Sequence, residues 1–120
     1  MQLPANQLAV WDVVRVPFPY TDRPVRQHRP ALVVAIPGMQ AQMGMLWALM
    51  ITSAANRGWP GDVSISDLLA AGLPVPSLVR TEKIATVDIG DAERIGRLAE
   101  ADRRRVTAWL RQHLSGAGWR

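Results

Sequence analysis

Pro17-Phe-Pro-Tyr-Thr-Asp-Arg-Pro places three prolines in eight residues. Each fixes φ and removes an amide donor, so neither a helix nor a central strand passes through this segment. It predicts the start of a long loop running to about His28, and it confines the apolar residues around it to short runs. Val10-Trp-Asp-Val-Val-Arg-Val is rich in β-branched residues, alternates in part and stops at Pro17, so it predicts a strand. Arg29-Pro30 opens Ala31-Leu-Val-Val-Ala-Ile, a continuous apolar run suited to a strand buried on both faces and ended by Pro37-Gly38.

Gly44 to Ser53 predicts a third strand, followed by the loop Asn56-Arg-Gly-Trp-Pro-Gly. Asp62-Val-Ser-Ile-Ser alternates strictly and predicts a short strand. Ser66-Asp67 is placed to cap a single helical turn, Leu68–Ala71, closed by Gly72. Pro74 and Pro76 enforce an extended segment. Ser77–Arg80 and Ile84–Ile89 predict two further strands, set around Thr81-Glu82-Lys83. Only the tail changes period: Val106, Trp109, Leu110 and His113/Leu114 recur at helical steps, predicting an amphipathic helix over 100–114 ended by Gly116 and Gly118. The arginines on its other side read as a solvated face. The expected fold is mainly β with a C-terminal helix, a small, partly open barrel with the helix across it. Residues 1–120 read as a single domain.

Composition narrows function by exclusion. Cysteine is absent, which excludes a disulfide framework, a thiolate metal site and a cysteine nucleophile. His28 and His113 are the only histidines, and no ligand spacing suggests a metal. Met1–Val10 does not read as a signal peptide, and the mostly apolar run from Met43 to Ala55 is too short to cross a bilayer. A soluble cytoplasmic protein is expected.

Fourteen basic residues face ten acidic ones for a net charge of +4, and all but Lys83 of the basic set are arginine. Arginine suits phosphate and stacks on bases, which points to nucleic acid; a GC-rich genome produces the same bias. Distribution favours the first reading. The excess sits in the first half of the chain, mostly between Arg23 and Arg29, and a local cluster is a better polyanion footprint than a diffuse surplus.

Seven segments, in order, carry a resemblance. They are Val13-Val-Arg-Val-Pro-Phe-Pro-Tyr-Thr-Asp, Arg29-Pro-Ala-Leu-Val-Val, Ile51-Thr-Ser, Pro60-Gly-Asp-Val, Ala71-Gly-Leu-Pro-Val-Pro-Ser-Leu-Val-Arg80, Lys83-Ile-Ala-Thr-Val-Asp88 and Arg94-Ile-Gly-Arg-Leu. Together, over about residues 10–114, they resemble the MazF/PemK toxins of type II toxin–antitoxin modules. The resemblance implies an SH3-like small barrel, a homodimer, and sequence-specific cleavage of single-stranded RNA without a metal or other cofactor. It also implies a cognate antitoxin whose extended acidic segment blocks the site, with operator DNA reached only through that antitoxin.

By the same resemblance Arg29 clamps the scissile phosphate and Thr52 donates a hydrogen bond to its oxygens. The plainer readings are a strand-entry arginine in a surface ion pair and a strand-end threonine satisfying a turn. Arginine is a poor proton shuttle. The plasmid-borne branch adds an arginine and an aspartate two residues later; here Arg80 and Glu82 stand there, as catalytic groups or as a structural pair on one strand face. His28 is a second candidate shuttle, or a base-stacking or solvated group. Arg23, Arg26, His28, Ser53, Arg57 and Trp59 are candidate RNA contacts. Trp59 reads equally as a cover for the core edge, and Trp11, Trp47 and Trp109 as core or dimer interface.

Two departures stand out: Trp11-Asp12 replaces the family's frequent Gly-Asp, and Asp22–His28 lacks the glycines common in that loop. The alternative functions are a non-catalytic toxin on the same fold that binds DNA gyrase, to which Gly118-Trp119-Arg120 bears a superficial likeness, and an inactive nucleic-acid-binding relative.

Overall fold

The computed structural model describes residues 7–17, 28–38 and 42–119. Its elements are β1 (Asp12–Pro17), β2 (His28–Ala35), β3 (Met45–Ser53), β4 (Asp62–Ser64), α1 (Leu68–Ala71), β5 (Ser77–Asp88), β6 (Glu93–Arg97) and α2 (Glu100–Gly116). Single 3-10 turns follow β3 (Ala54–Asn56) and β5 (Ile89–Asp91). The strands form one antiparallel sheet in the order β4-β5-β3-β2-β1-β6. The protein is mainly β with a C-terminal helix, as the sequence predicts; the sheet stays open, with β4 and β6 at its edges.

Strand periodicity divides the core into two. Val14, Val16, Ala31, Val33, Leu46, Ala48 and Met50 pack on one face, while Val13, Leu32, Leu49, Ile51 and Val79 pack on the other with Leu98 and Val106. The unbroken apolar run of β2 is thus explained, since Leu32 and Val33 are both fully buried on opposite faces. Helix α1 is built as its sequence suggests: Asp67 accepts from the Ala70 amide at 3.0 Å, and Gly72 closes the turn at φ +72°.

Two expectations need correction, and one strand is unexpected. β5 is one strand of twelve residues rather than two. Its pairing with β3 jumps from Leu49↔Ile84 to Met50↔Arg80, so Thr81, Glu82 and Lys83 bulge out of the ladder without ending the strand. The polar trio marks that bulge. β6, Glu-Arg-Ile-Gly-Arg, has no strand-like alternation; backbone pairing to β1 makes it a strand. Gly96 is needed there because a Cβ would lie 2.3 Å from the Ala71 backbone. The arginines of α2 are only partly a solvated face. Arg103 Nε donates to the Leu98 carbonyl at 2.7 Å, and Arg105 joins the fully buried Asp102 to the Ser64 carbonyl. Asp102 also accepts from the Ser66 amide and hydroxyl, at 2.8 and 3.0 Å, tying α2 to the end of β4.

Candidate active site

β2 and β3 pair in the register Ala31↔Met50 and Leu32↔Leu49. Carried two residues further, that register sets Arg29 against Thr52. Both line a cleft of about 320 Å³, together with Arg15, His28 and Ser53. Arg29 is half-buried and His28 exposed at the rim, while Thr52 is 7% exposed. The opposite wall is the extended Leu73-Pro-Val segment that follows α1, and Ile95 of β6.

Arg15 is a cleft residue that the sequence reading does not single out. It lies on β1 opposite Pro30, beside Arg29. The signal is present as parity: Val14 and Val16 face one core, and the lone cation between them faces the other way. Two guanidiniums therefore meet at this cleft, and among the described residues that line it none is a carboxylate. Such a lining attracts anions.

The Thr52 hydroxyl has a partner supplied by the turn after β3. Asn56 Nδ2 donates to Thr52 Oγ1 at 3.0 Å. Ser53 caps the same turn, its Oγ accepting from the Ala55 amide at 3.2 Å. Arg57 Nε donates back to the Ala54 carbonyl at 3.1 Å and lies outside the cleft lining.

Arg80 and Glu82 do not join Arg29 and Thr52. Arg80, 7% exposed, forks onto Asp62 with Nε at 3.1 Å and Nη2 at 3.0 Å, and Nη2 also donates to the Asn56 carbonyl at 2.6 Å. Its guanidinium lies 4.5 Å from the Trp59 ring centroid, and Lys83 Nζ approaches the same ring at 5.9 Å. Trp59 is thus held by cations while remaining 45% exposed. Burial pushes the Asp62 carboxyl up, but the Arg80 hydrogen bonds and charge and the Trp59 and Gly58 amides outweigh it, holding the group below the usual carboxylate range.

Glu82 instead faces the helix. Its Oε1 is 3.5 Å from His113 Nδ1, while His113 Nε2 lies 2.8 Å from Thr81 Oγ1, which donates to the Gly61 carbonyl at 2.7 Å. His113 also stacks on Trp109. Arg23 and Arg26 lie outside the described residues. Asn56, Asp62 and His113 complete these contacts; Asp62 falls in the Pro60-Gly-Asp-Val segment and His113 on the helical period, but nothing in the sequence singles out any of the three as a partner of Arg80, Thr52 or Glu82.

The description "PemK-like, MazF-like toxin of type II toxin-antitoxin system" belongs to a family whose sequence profile matches residues 9–114. The chain belongs to this family. No curated protein sequence matches it. Among solved structures it is similar to MazF from Deinococcus radiodurans, with TM-score 0.70 and 23% identity over 88% of this chain and 94% of that one. It is also similar to a Mycobacterium tuberculosis MazF toxin, with TM-score 0.67 and 18% identity over 87% and 96%. A mycobacterial endoribonuclease solved with its cognate antitoxin gives TM-score 0.67 and 19% identity over 88% and 93%. At these identities the likeness is one of fold. Among the described residues no helix is long and apolar enough to cross a membrane.

Proposed function

We propose that this toxin-family protein is an endoribonuclease that cleaves single-stranded RNA at the Arg29–Thr52 cleft. The observation that carries the reading is the meeting of Arg15, Arg29 and Thr52 in one concave lining that holds no carboxylate among the described residues. In the reaction the 2′-oxygen attacks the adjacent phosphorus, the P–O5′ bond breaks, and the products are a 2′,3′-cyclic phosphate and a 5′-hydroxyl. Negative charge gathers on the non-bridging oxygens as the fifth bond forms. Fixed donors aimed there lower the barrier most, and Arg29 and the Thr52 hydroxyl are the donors. Arg15 holds a neighbouring phosphate. No step calls for a metal.

A proton must leave the 2′-oxygen and another must reach the 5′-oxygen. His28 is the cleft-lining group able to take and give one. Glu82 is turned toward His113, and Arg80 is committed to Asp62; both act from outside the cleft. Trp59 offers its exposed surface to an unpaired base. The partner is a cognate antitoxin, a reading supported by a MazE–MazF structure from D. radiodurans; an extended acidic segment of it would compete for the cations of the cleft. The functional unit is a cytoplasmic homodimer.

The test is incubation of purified protein with a long single-stranded RNA in EDTA, beside Arg29→Ala. Cleavage by the wild type alone, leaving cyclic-phosphate ends, is expected. Equal cleavage by Arg29→Ala would remove the phosphate clamp. Growth arrest by a protein that cuts no RNA would point to the gyrase-binding class instead.

A further inference from the structure

The cluster around Arg80 lies apart from the cleft yet is bonded to it through one side chain. Asp62 holds Arg80, Arg80 Nη2 holds the Asn56 carbonyl, and Asn56 Nδ2 donates to Thr52 Oγ1. A threonine hydroxyl has one proton to give and two lone pairs to receive. With one lone pair taken by the Asn56 amide, the Thr52 proton is not spent on Asn56 and is available to an acceptor in the cleft that Thr52 lines.

We infer that Asn56 is a positioning residue: it fixes the rotor of the Thr52 hydroxyl as a donor to the substrate phosphate, and Arg80 fixes Asn56. The inference rests on the nuclease reading above and deepens it. It also gives the buried Arg80–Asp62 pair a part in the reaction without either residue touching RNA. The turn Ala54–Asn56 is only one 3-10 turn long. The position of so short a turn decides whether the Asn56 amide reaches the Thr52 hydroxyl at all. The 2.6 Å bond from a guanidinium that is itself forked onto a carboxylate holds the turn in place. Preorganisation of this kind removes the cost of orienting a donor at the moment charge develops.

Asn56→Asp is the decisive variant. It keeps size and shape but replaces a donor with an acceptor, so the Thr52 proton turns back toward residue 56 and is lost to the phosphate. Asn56→Ala leaves the hydroxyl free to rotate. Steady-state cleavage of a short single-stranded RNA is compared for wild type, Thr52→Val, Asn56→Ala, Asn56→Asp and the double variant Thr52→Val/Asn56→Asp. Expected are a fall in kcat of about tenfold or more for both Asn56→Asp and Thr52→Val, a smaller fall for Asn56→Ala, and KM within about threefold throughout. The double variant should be no slower than Thr52→Val alone, because the donor is already gone. A second, additive loss in the Thr52→Val background would mean that the introduced carboxylate acts by repelling RNA or loosening the fold, and would overturn the inference. So would an Asn56→Asp enzyme as fast as wild type; in both cases the nuclease reading stands. A wild type that cuts no RNA overturns that reading and this inference together.

Discussion

Arg80 places Nε and Nη2 on the two oxygens of one carboxylate, that of Asp62, and both side chains are at least nine-tenths buried. The bond joins the edge strand β4 to β5 where their pairing begins, at Asp62↔Arg80. Removing one partner leaves the other charged and out of water. Asp62→Ala is expected to cost about 3 to 5 kcal/mol, read as a lower urea midpoint.

The same pair sets an acid limit. Because the folded Asp62 carboxyl is held below the usual range, the unfolded chain takes up this proton first as pH drops. The stability it contributes is complete above the ordinary carboxylate value and is lost as pH falls below about 4 and through the folded value. Urea midpoints measured from about pH 6 to about pH 2.5 are expected to decline across that window. In Asp62→Asn this share of the decline should vanish.

Arg29→Ala is expected to lower kcat/KM for RNA by about 10²- to 10³-fold, with unfolding free energy within about 1 kcal/mol of wild type. Arg15→Ala should act chiefly on KM and reduce the dependence of binding on log salt by about 0.7, one single-strand phosphate contact. An unchanged salt slope would take Arg15 out of the RNA path.

Asp12 is 1% exposed and faces Arg94 and Arg97 of β6 at 3.4 and 3.2 Å, while accepting from the Ala9 amide at 2.8 Å. Both arginines are partly solvated, so they recover water when the carboxylate is removed. Asp12→Ala is therefore expected to cost about 2 kcal/mol, less than the loss of Asp62. Faster amide exchange along β6 than along β2 would locate the damage.

Gly72 at φ +72° has the Ile95 carbonyl oxygen 2.0 Å from where a Cβ would sit. Gly72→Ala incurs both backbone strain and collision, so a loss of more than about 2 kcal/mol is expected. Because Gly72 and Ile95 also line the cleft, RNA cleavage should fall in the surviving folded fraction as well.

What the sequence makes legible follows from which interactions are local. β-Branched runs, the Asp67–Gly72 turn and the helical period after Glu100 each act within a few residues, and each is readable; the proline-rich loop expected beyond Pro17 lies outside the described residues. Thr81-Glu82-Lys83 looks like a strand end because a bulge and a loop share polar composition; only pairing with β3 distinguishes them. Arg29 and Thr52 are found through resemblance, and register explains why they meet. The partners of Arg80 are not legible: Asp62 is eighteen residues away along the chain and Asn56 twenty-four. Trp11 shows the converse. In sequence it is only a departure from the family's usual glycine, yet Trp11 adopts φ +79°, the left-handed backbone a glycine would enter without strain.

At Gly72 and Gly96 main chain rests on main chain, with no side chain between. That wall of the cleft is consequently insensitive to most substitution: exchanging neighbouring residues alters its chemistry but hardly its position. If the protein cleaves RNA as proposed, variation in which bases it accepts is to be sought away from that wall, at Arg15, His28 and Arg29 or at the exposed Trp59.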